Sequence, residues 1–346
     1  MLQEKKHPMA LPLAAVTSFL LILFFEIFVF FLPEFVLAEG DFGNFRLKWK
    51  KEESQNSPAY ATLFLGESFG WSGFKPSVYD PYSKYAPSFN LCIYQTSTFL
   101  LQYHLLKTYL CSAKTLPQVV LLEFSEESLF DPVQITEAFL YQQLFPFFGD
   151  DPELLQELST VSPALAPSLL RPLRFPCWKR PMKGILSRLW HWESQKKNHR
   201  FYKEELRQNR GYSPCGLKAP EKGHALLDFP PWLKKPQVSL INTHYIEKIL
   251  SLLQEKKIPV LLIIPSLHRD RRTLWSLYHL HQPYSGYLKK LQRSFSTIHG
   301  VCGDFISLFP AREDFYDTIH LHDQSATHFT QKITAYVNRF HFSKKK

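Results

Sequence analysis

Short apolar runs separated by longer amphipathic ones recur along most of the chain beyond residue 60. Ala61 to Leu65, Phe89 to Ile93, Val119 to Phe124 and Ile258 to Ile264 are nearly continuous in apolar side chains, as strands buried on both faces are, and a last run falls at Val301 to Ile306. Helical spacing fills the gaps. Ser97 to Leu110 places Leu100, Leu101, His104, Leu105 and Tyr109 on one face, Ile241 to Gln254 repeats the pattern before the strand that stops at Pro265, and Ser325 to Phe340 closes the chain. Strands alternating with helices predict an α/β domain with a mostly parallel sheet covered on both faces. Sites in such sheets lie beyond the carboxyl ends of the strands.

Two stretches break this rhythm. Met9 to Leu32 is apolar except for Thr17, Ser18 and Glu26, long enough to cross a hydrocarbon core as a helix. A charged residue near the centre costs about 2.5–3.5 kcal/mol, while each Leu, Ile, Phe or Val returns about 0.3–0.6 kcal/mol, so insertion is favoured. Val36 and Ala38 would suit signal-peptide cleavage before Glu39, but a cleavable apolar region is normally about 7–15 residues long, which favours an uncleaved single-pass anchor. Lys5 and Lys6 precede the span and Arg46, Lys48, Lys50 and Lys51 follow it. A short basic tail before a first anchor usually stays cytoplasmic, and long domains translocate largely regardless of charge, so the chain beyond about Ala38 is expected outside the cytoplasm, periplasmic or at the cell surface.

The second break runs from Asp131 to Lys235, rich in Pro, aromatic and basic residues. Arg171, Arg174, Lys179, Arg180, Lys183 and Arg188 interleave there with Leu170, Phe175, Trp178, Trp190 and Trp192. This mixture suits an interfacial contact with a membrane and equally a solvated basic face over a local core. The expected organisation is therefore residues 1–38 as cytoplasmic tail and anchor, 39–130 and 236–346 as the two parts of one α/β domain, and 131–235 as an insertion.

With 346 residues, 45% of them apolar, the chain can bury a full core. A net charge of +10 could favour phosphate, anionic lipid or nucleic acid, but no zinc-finger spacing, RNP-like motif or P-loop accompanies it, which argues against nucleic acid. The five cysteines, Cys92, Cys111, Cys177, Cys215 and Cys302, lack metal-ligand spacing. Cys177 and Cys215 share the insertion; a disulfide between them and free buried thiols are both open readings.

Candidate chemistry sits at the two ends of the α/β pattern. Leu65-Gly66-Glu67-Ser68-Phe69-Gly70 follows the first strand, and Phe315-Tyr316-Asp317-Thr318-Ile319-His320-Leu321 follows the last. A serine hydroxyl becomes a useful nucleophile when an imidazole takes its proton, and a carboxylate that fixes the imidazole tautomer completes the set. The spacing of Asp317 and His320 lets a single turn hold both side chains toward one point. Plainer roles compete: a serine after a strand is most often a turn or helix-cap residue, and His322 or His328 could be mistaken for the working histidine. Asp317, His320, His322 and His328 could also hold a metal, but no partner motif of the HExxH kind occurs, and no metal or cofactor is expected.

Gly66-x-Ser68-x-Gly70 is also the pattern of the α/β-hydrolase nucleophile elbow. Chain order separates the two possibilities. That family places several strands before its nucleophile and separates acid from histidine, whereas here Ser68 follows the first strand and Asp317 stands just before His320. The arrangement resembles the SGNH (GDSL-like) hydrolases, in which a serine after the first strand meets a D-x-x-H pair after the last. The closer likeness is to their membrane-anchored cell-envelope branch, which includes the alginate O-acetylation proteins and the D-alanine transfer protein of teichoic acid synthesis. It covers roughly Ala61 to Phe130 and Ser239 to Phe340.

The resemblance implies a flavodoxin-like three-layer fold, with Ser68 as nucleophile, His320 as general base and Asp317 as its partner. It implies an oxyanion and substrate-binding region formed by Ser68, Gly66, Asn90 and Cys92. An acyl-serine would pass its acyl group to water, making an esterase, or to an envelope glycan or lipid hydroxyl, making an O-acyltransferase, with an envelope protein as a further partner. Several positions depart from the family pattern. Glu67 replaces the usual Asp, Asn90-Leu91-Cys92 replaces Asn-Leu-Gly, Glu123-Phe124-Ser125 replaces Gly-x-Asn, and His322 and Ser325 stand where Asn and Gly are common. One lost oxyanion donor costs about 10²–10³ in rate. These departures motivate the alternative, a degenerate domain that binds envelope polymer or a protein partner without chemistry.

Overall fold

Five strands pair in parallel in the order β2-β1-β3-β4-β5 in the computed structural model of the chain. Residues 16–21, 23–24, 42–56, 59–93, 98–130, 152–161, 190, 192–214, 236–303, 312–317 and 319–342 are described. They fall into two units, Met1–Asp41 with Thr136–His199, and Phe42–Ile135 with Arg200–Lys346.

The second unit holds the sheet. Helix α1 (Phe42–Gln55) leads into β1 (Thr62–Leu65), α2 (Ser68–Gly73), α3 (Pro76–Tyr79), β2 (Ser88–Asn90), α4 (Thr98–Ser112), β3 (Val119–Glu123) and α5 (Glu126–Phe130). After α6 (Pro152–Val161) of the first unit, α7 (Trp192–Gln208) brings the chain back to the second. The unit then continues through α8 (Leu240–Glu255), β4 (Val260–Ile263), α9 (Arg269–Leu277), α10 (His281–Ser294), β5 (Ile298–Cys302) and α11 (Asp323–Val337).

The apolar strand runs work as expected: every residue of β1, β3 and β4 is buried. Alternate side chains serve opposite faces. Phe64, Val119, Leu121, Leu261 and Ile263 join one cluster with Phe69 of α2 and with Phe329 and Ile333 of α11. Leu63, Leu65, Val120, Leu122, Val260 and Leu262, on the other side of the pleat, are equally buried. Burying each such side chain contributes about 1.5–3 kcal/mol. Ser239 caps the start of α8, its side chain accepting the Asn242 N–H at 3.3 Å.

The last strand differs from expectation, beginning at Ile298 ahead of Val301. It is an edge strand with only its final residue buried, and a register irregularity separates Val260 from Leu261 opposite it. A half-exposed edge does not require a continuous apolar run, so hydropathy placed the strand too late.

In the first unit, Leu154 and Leu158 are buried one helical turn apart on α6. Most of the expected membrane helix, Met9 to Leu32, lies outside the described residues; its helical parts, 16–21 and 23–24, expose Val16, Phe19, Leu20, Leu21, Leu23 and Phe24. Among the described residues no helix is long and apolar enough to cross a membrane. The basic run from Arg171 to Arg188 and both Cys177 and Cys215 also lie outside the described residues. Cys92, Cys111 and Cys302 are free thiols, the first and last of them buried.

Candidate active site

Asp317 and His320 meet in a tight loop closed by an antiparallel bridge between Phe315 and Leu321. The Tyr316 N–H donates to the His320 carbonyl at 2.7 Å, and the His322 N–H to the Asp314 carbonyl at 3.2 Å. Inside this loop Asp317 Oδ1 accepts the N–H groups of Ile319 and His320, both at 2.7 Å, a side-chain turn that asparagine and aspartate form readily. Its second oxygen, Oδ2, lies 2.6 Å from His320 Nδ1. With Nδ1–H donating to the carboxylate, Nε2 is the ring nitrogen left to exchange a proton with a substrate or nucleophile.

Burial pushes the Asp317 carboxyl up, but the hydrogen bond and charge of His320 and the two N–H groups outweigh it and hold the carboxyl below its ordinary value. Asp317 is half-buried and His320 buried, so the carboxylate stays ionised while the ring is kept largely from water. The neighbouring imidazole, His322, has other work. Its Nδ1 accepts the N–H groups of Gln324 and Ser325 at 3.1 and 3.3 Å, capping α11 as a serine or aspartate would. Among the described residues no group of three or more His, Cys, Asp or Glu is arranged to hold a metal ion.

Ser68 is the first residue of α2, directly beyond the carboxyl end of β1, and is half-buried. Its carbonyl accepts the Ser72 hydroxyl at 3.1 Å, while its own N–H and hydroxyl take no partner among the described residues. Phe69 beside it stands edge-on to Phe329 of α11 at 5.1 Å between ring centroids. Phe69, Phe315 and Leu321 share one buried cluster, so the residues flanking Ser68 and those bounding the Asp317/His320 loop are parts of the same core. Asp323, the first residue of α11, ties the helix starts together further: it accepts Lys75 Nζ and the Tyr212 hydroxyl, each at 2.7 Å.

The turn carrying Ser68 is held by residues remote in sequence. Gly66 O accepts Gln102 Nε2 from α4 at 2.6 Å and the Ile93 N–H at 3.0 Å. Glu123, the last residue of β3, places Oε2 at 3.1 Å from the Glu67 N–H and 2.7 Å from the Gly70 N–H. A Cβ on either Gly66 or Gly70 would collide with that oxygen. The two glycines of the Gly-x-Ser-x-Gly pattern thus make room for a buried carboxyl, a different reason from the strand-to-helix crossing of a nucleophile elbow.

Asn90 and Cys92 are also engaged around this turn. Asn90 Nδ2 donates to the carbonyls of Gly70 and Phe74, both at 2.9 Å, securing the end of α2. The Cys92 N–H donates to Asn90 Oδ1 at 3.0 Å, the Leu91 N–H to Phe64 O at 2.8 Å and the Ile93 N–H to Gly66 O. Lys50 from α1, fully buried, donates to the Cys92 carbonyl and lies 3.5 Å from Asn90 Oδ1; burial pushes its pKa down to about 7. Ser125, just beyond β3, exchanges hydrogen bonds with Ser128 and so caps α5.

In the sequence Glu123 stands out only as a departure from a pattern, Lys50 only as one of the basic residues after the apolar span, and Gln102 not at all. The signal was a carboxylate closing an otherwise apolar buried strand, Val-Val-Leu-Leu-Glu, at the edge where sites form. No family model matches the chain, and no curated protein matches it.

Proposed function

We propose that the chain is a membrane-anchored serine esterase or O-acyltransferase of the SGNH type, built on a flavodoxin-like three-layer fold and acting on an envelope glycan or lipid ester. The observation that carries this reading is the 2.6 Å contact between Asp317 Oδ2 and His320 Nδ1, in a loop beyond a parallel sheet whose first strand delivers Ser68. His320 Nε2 takes the Ser68 hydroxyl proton as Oγ attacks the ester carbonyl. Asp317 steadies the imidazolium, and the Ser68 N–H, which has no partner among the described residues, faces the oxyanion. His320 returns the proton to the leaving alcohol, leaving an acyl-serine. It then deprotonates water or an acceptor hydroxyl, whose oxygen bonds the acyl carbon as the Ser68 Oγ–acyl bond breaks, and the imidazolium returns the proton to Oγ.

A second reading is favoured by one specific observation. The N–H groups of Leu91, Cys92 and Ile93 are all committed to hydrogen bonds, so the described residues after β2 present no spare backbone donor for an oxyanion. That state suits a domain that binds envelope polymer or a partner without chemistry.

A fluorophosphonate probe on the full chain in detergent separates the two. Wild type should label, and Ser68→Ala should not. Absence of labelling in wild type, or equal labelling of Ser68→Ala, sinks the nucleophile assignment; glycan binding without labelling supports the second reading. For a labelling enzyme, ester turnover with and without oligosaccharide acceptors distinguishes hydrolysis from transfer.

A further inference from the structure

Glu123 grips the Ser68 turn from both sides. The N–H groups it accepts, Glu67 and Gly70, belong to the N-cap and third helical residue of α2, the two that a capping box normally serves. Glu67 makes no side-chain cap of its own, and the capping oxygen comes instead from the end of a different strand. Asn90 and Gln102 brace the same turn through the Gly70 and Gly66 carbonyls, so the Glu123 carboxyl has a fixed seat.

Burial raises the Glu123 carboxyl to about 8, against the two N–H bonds that pull it down. The titratable groups facing it are the Cys92 thiol beyond β2, Glu67 at the turn and the Tyr284 phenol of α10. Burial pushes the Cys92 thiol and the Tyr284 phenol well above their ordinary values, so both are neutral when Glu123 titrates. Lys50 donates to the Cys92 carbonyl, and burial pushes its pKa down to about 7, so it too is largely neutral when Glu123 titrates.

We propose that Glu123 is a positioning residue for Ser68, holding the turn from Glu67 to Gly70 through its carboxyl and making acyl transfer dependent on the protonation state of that carboxyl. The proposal rests on the reading of Ser68 as nucleophile. The neutral acid accepts both N–H groups through Oε2. Ionisation puts a buried negative charge beside the position where the oxyanion develops, which disfavours the transition state.

The test compares wild type, Glu123→Gln and Glu123→Ala by the pH dependence of fluorophosphonate labelling, alongside the Gly70 amide shift in full chain labelled with ¹⁵N-glycine. Wild-type labelling should fall above pH about 8, and the Gly70 amide should titrate with the same midpoint. In Glu123→Gln the amide carbonyl still accepts both N–H groups but cannot ionise, so the alkaline fall and the Gly70 titration should vanish. Glu123→Ala should label at least about tenfold more slowly than Glu123→Gln, a rescue by shape that simple loss of charge would not give. An alkaline fall that persists in Glu123→Gln, equal rates for Gln and Ala, or a Gly70 amide that does not titrate near pH 8 each overturns the proposal. If wild type does not label at all, the nucleophile reading fails and takes the functional half of the proposal with it; the Gly70 titration still decides whether Glu123 holds the turn.

Discussion

The two halves of the candidate site are built in opposite ways. The Asp317/His320 loop is assembled almost entirely from its own few residues: three hydrogen bonds to one carboxylate, and a bridge from Phe315 to Leu321 that closes it. The Ser68 turn is held by Glu123, Gln102 and Asn90, whose hydrogen bonds span 56, 36 and 20 residues. A local motif depends on its own spacing, whereas the Ser68 turn exists only if β1, β2 and β3 are paired in the observed order. Substitutions in the first half should therefore act on chemistry, and those in the second on chemistry and folding together.

The largest effect expected from breaking this contrast is at Asp317. Asp317→Ala removes the oxygen that fixes His320 Nδ1 and both N–H bonds within the loop. Loss of a positioned general base costs about 10²–10⁴ in rate, and probe labelling should slow by that amount. The Gly70 amide shift should stay as in wild type, because the three hydrogen bonds lost all lie within the loop while the shared core of Phe69, Phe315 and Leu321 is left in place. A changed Gly70 shift would show that the two halves are not independent. The same carboxyl also gives a pH signature: its folded pKa lies below the ordinary aspartate value. The stability it contributes is present above the unfolded pKa, about 3.9, and lost as pH falls through the lower folded value.

Gly70→Ala comes next in size and reports on the remote half. The new methyl group would collide with Glu123 Oε2 and sit 2.8 Å from Cys92 Sγ, both buried. Overpacking of this kind costs about 1–3 kcal/mol, visible as a lower thermal midpoint along with slower labelling. Combining it with Glu123→Ala should recover part of the lost stability, since the second change removes the atom that clashes. Strict additivity of the two would mean that the turn has shifted away from Glu123 and that the glycine is there for another reason.

The same contrast explains what the sequence could reveal. Strands whose neighbours bury both faces, such as Val119–Glu123 and Val260–Ile263, carry continuous apolar runs and are legible; the edge strand Ile298–Cys302 keeps only Cys302 buried, and its start was misplaced. Asp317 and His320 were legible because three-residue spacing is itself the geometry of their loop. His322 could be mistaken for the working histidine, although the spacing favours His320, and its Nδ1 caps α11. Glu123 looked like a lost oxyanion element because its partners, the N–H groups of Glu67 and Gly70, lie on another segment. Asn90 and Cys92 meet the turn at Gly70, Asn90 through its amide on the Gly70 carbonyl and Cys92 through its sulfur, but which hydrogen bonds their polar groups make was fixed by α2 and β1, which spacing does not encode.

A smaller effect, about 1 kcal/mol per pH unit, sharpens the comparison within the remote half itself, because Glu123 and Lys50 are buried on either side of the loop at Cys92 with opposite displacements. Between about pH 4.5 and about 8 the folded state keeps a proton on Glu123 that the unfolded chain has lost, so this group makes stability fall as pH rises. For Lys50 the unfolded chain holds a proton between about pH 7 and 10.5 that the folded state has released, so this group makes stability rise with pH. Above about pH 8 the Glu123 contribution is constant, leaving the rise from the lysine opposed only by the Cys92 thiol, which burial pushes up, as pH approaches 9. Lys50→Met, close in shape, should remove the rise in stability between pH 8 and 9.5 in urea titrations, although it leaves the Cys92 carbonyl without its N–H donor. Glu123→Gln should leave that rise intact and instead flatten the fall at lower pH. If Lys50→Met leaves the alkaline rise unchanged, the ammonium is already charged in the folded protein, and Lys50 serves the Ser68 side of the site as a buried cation.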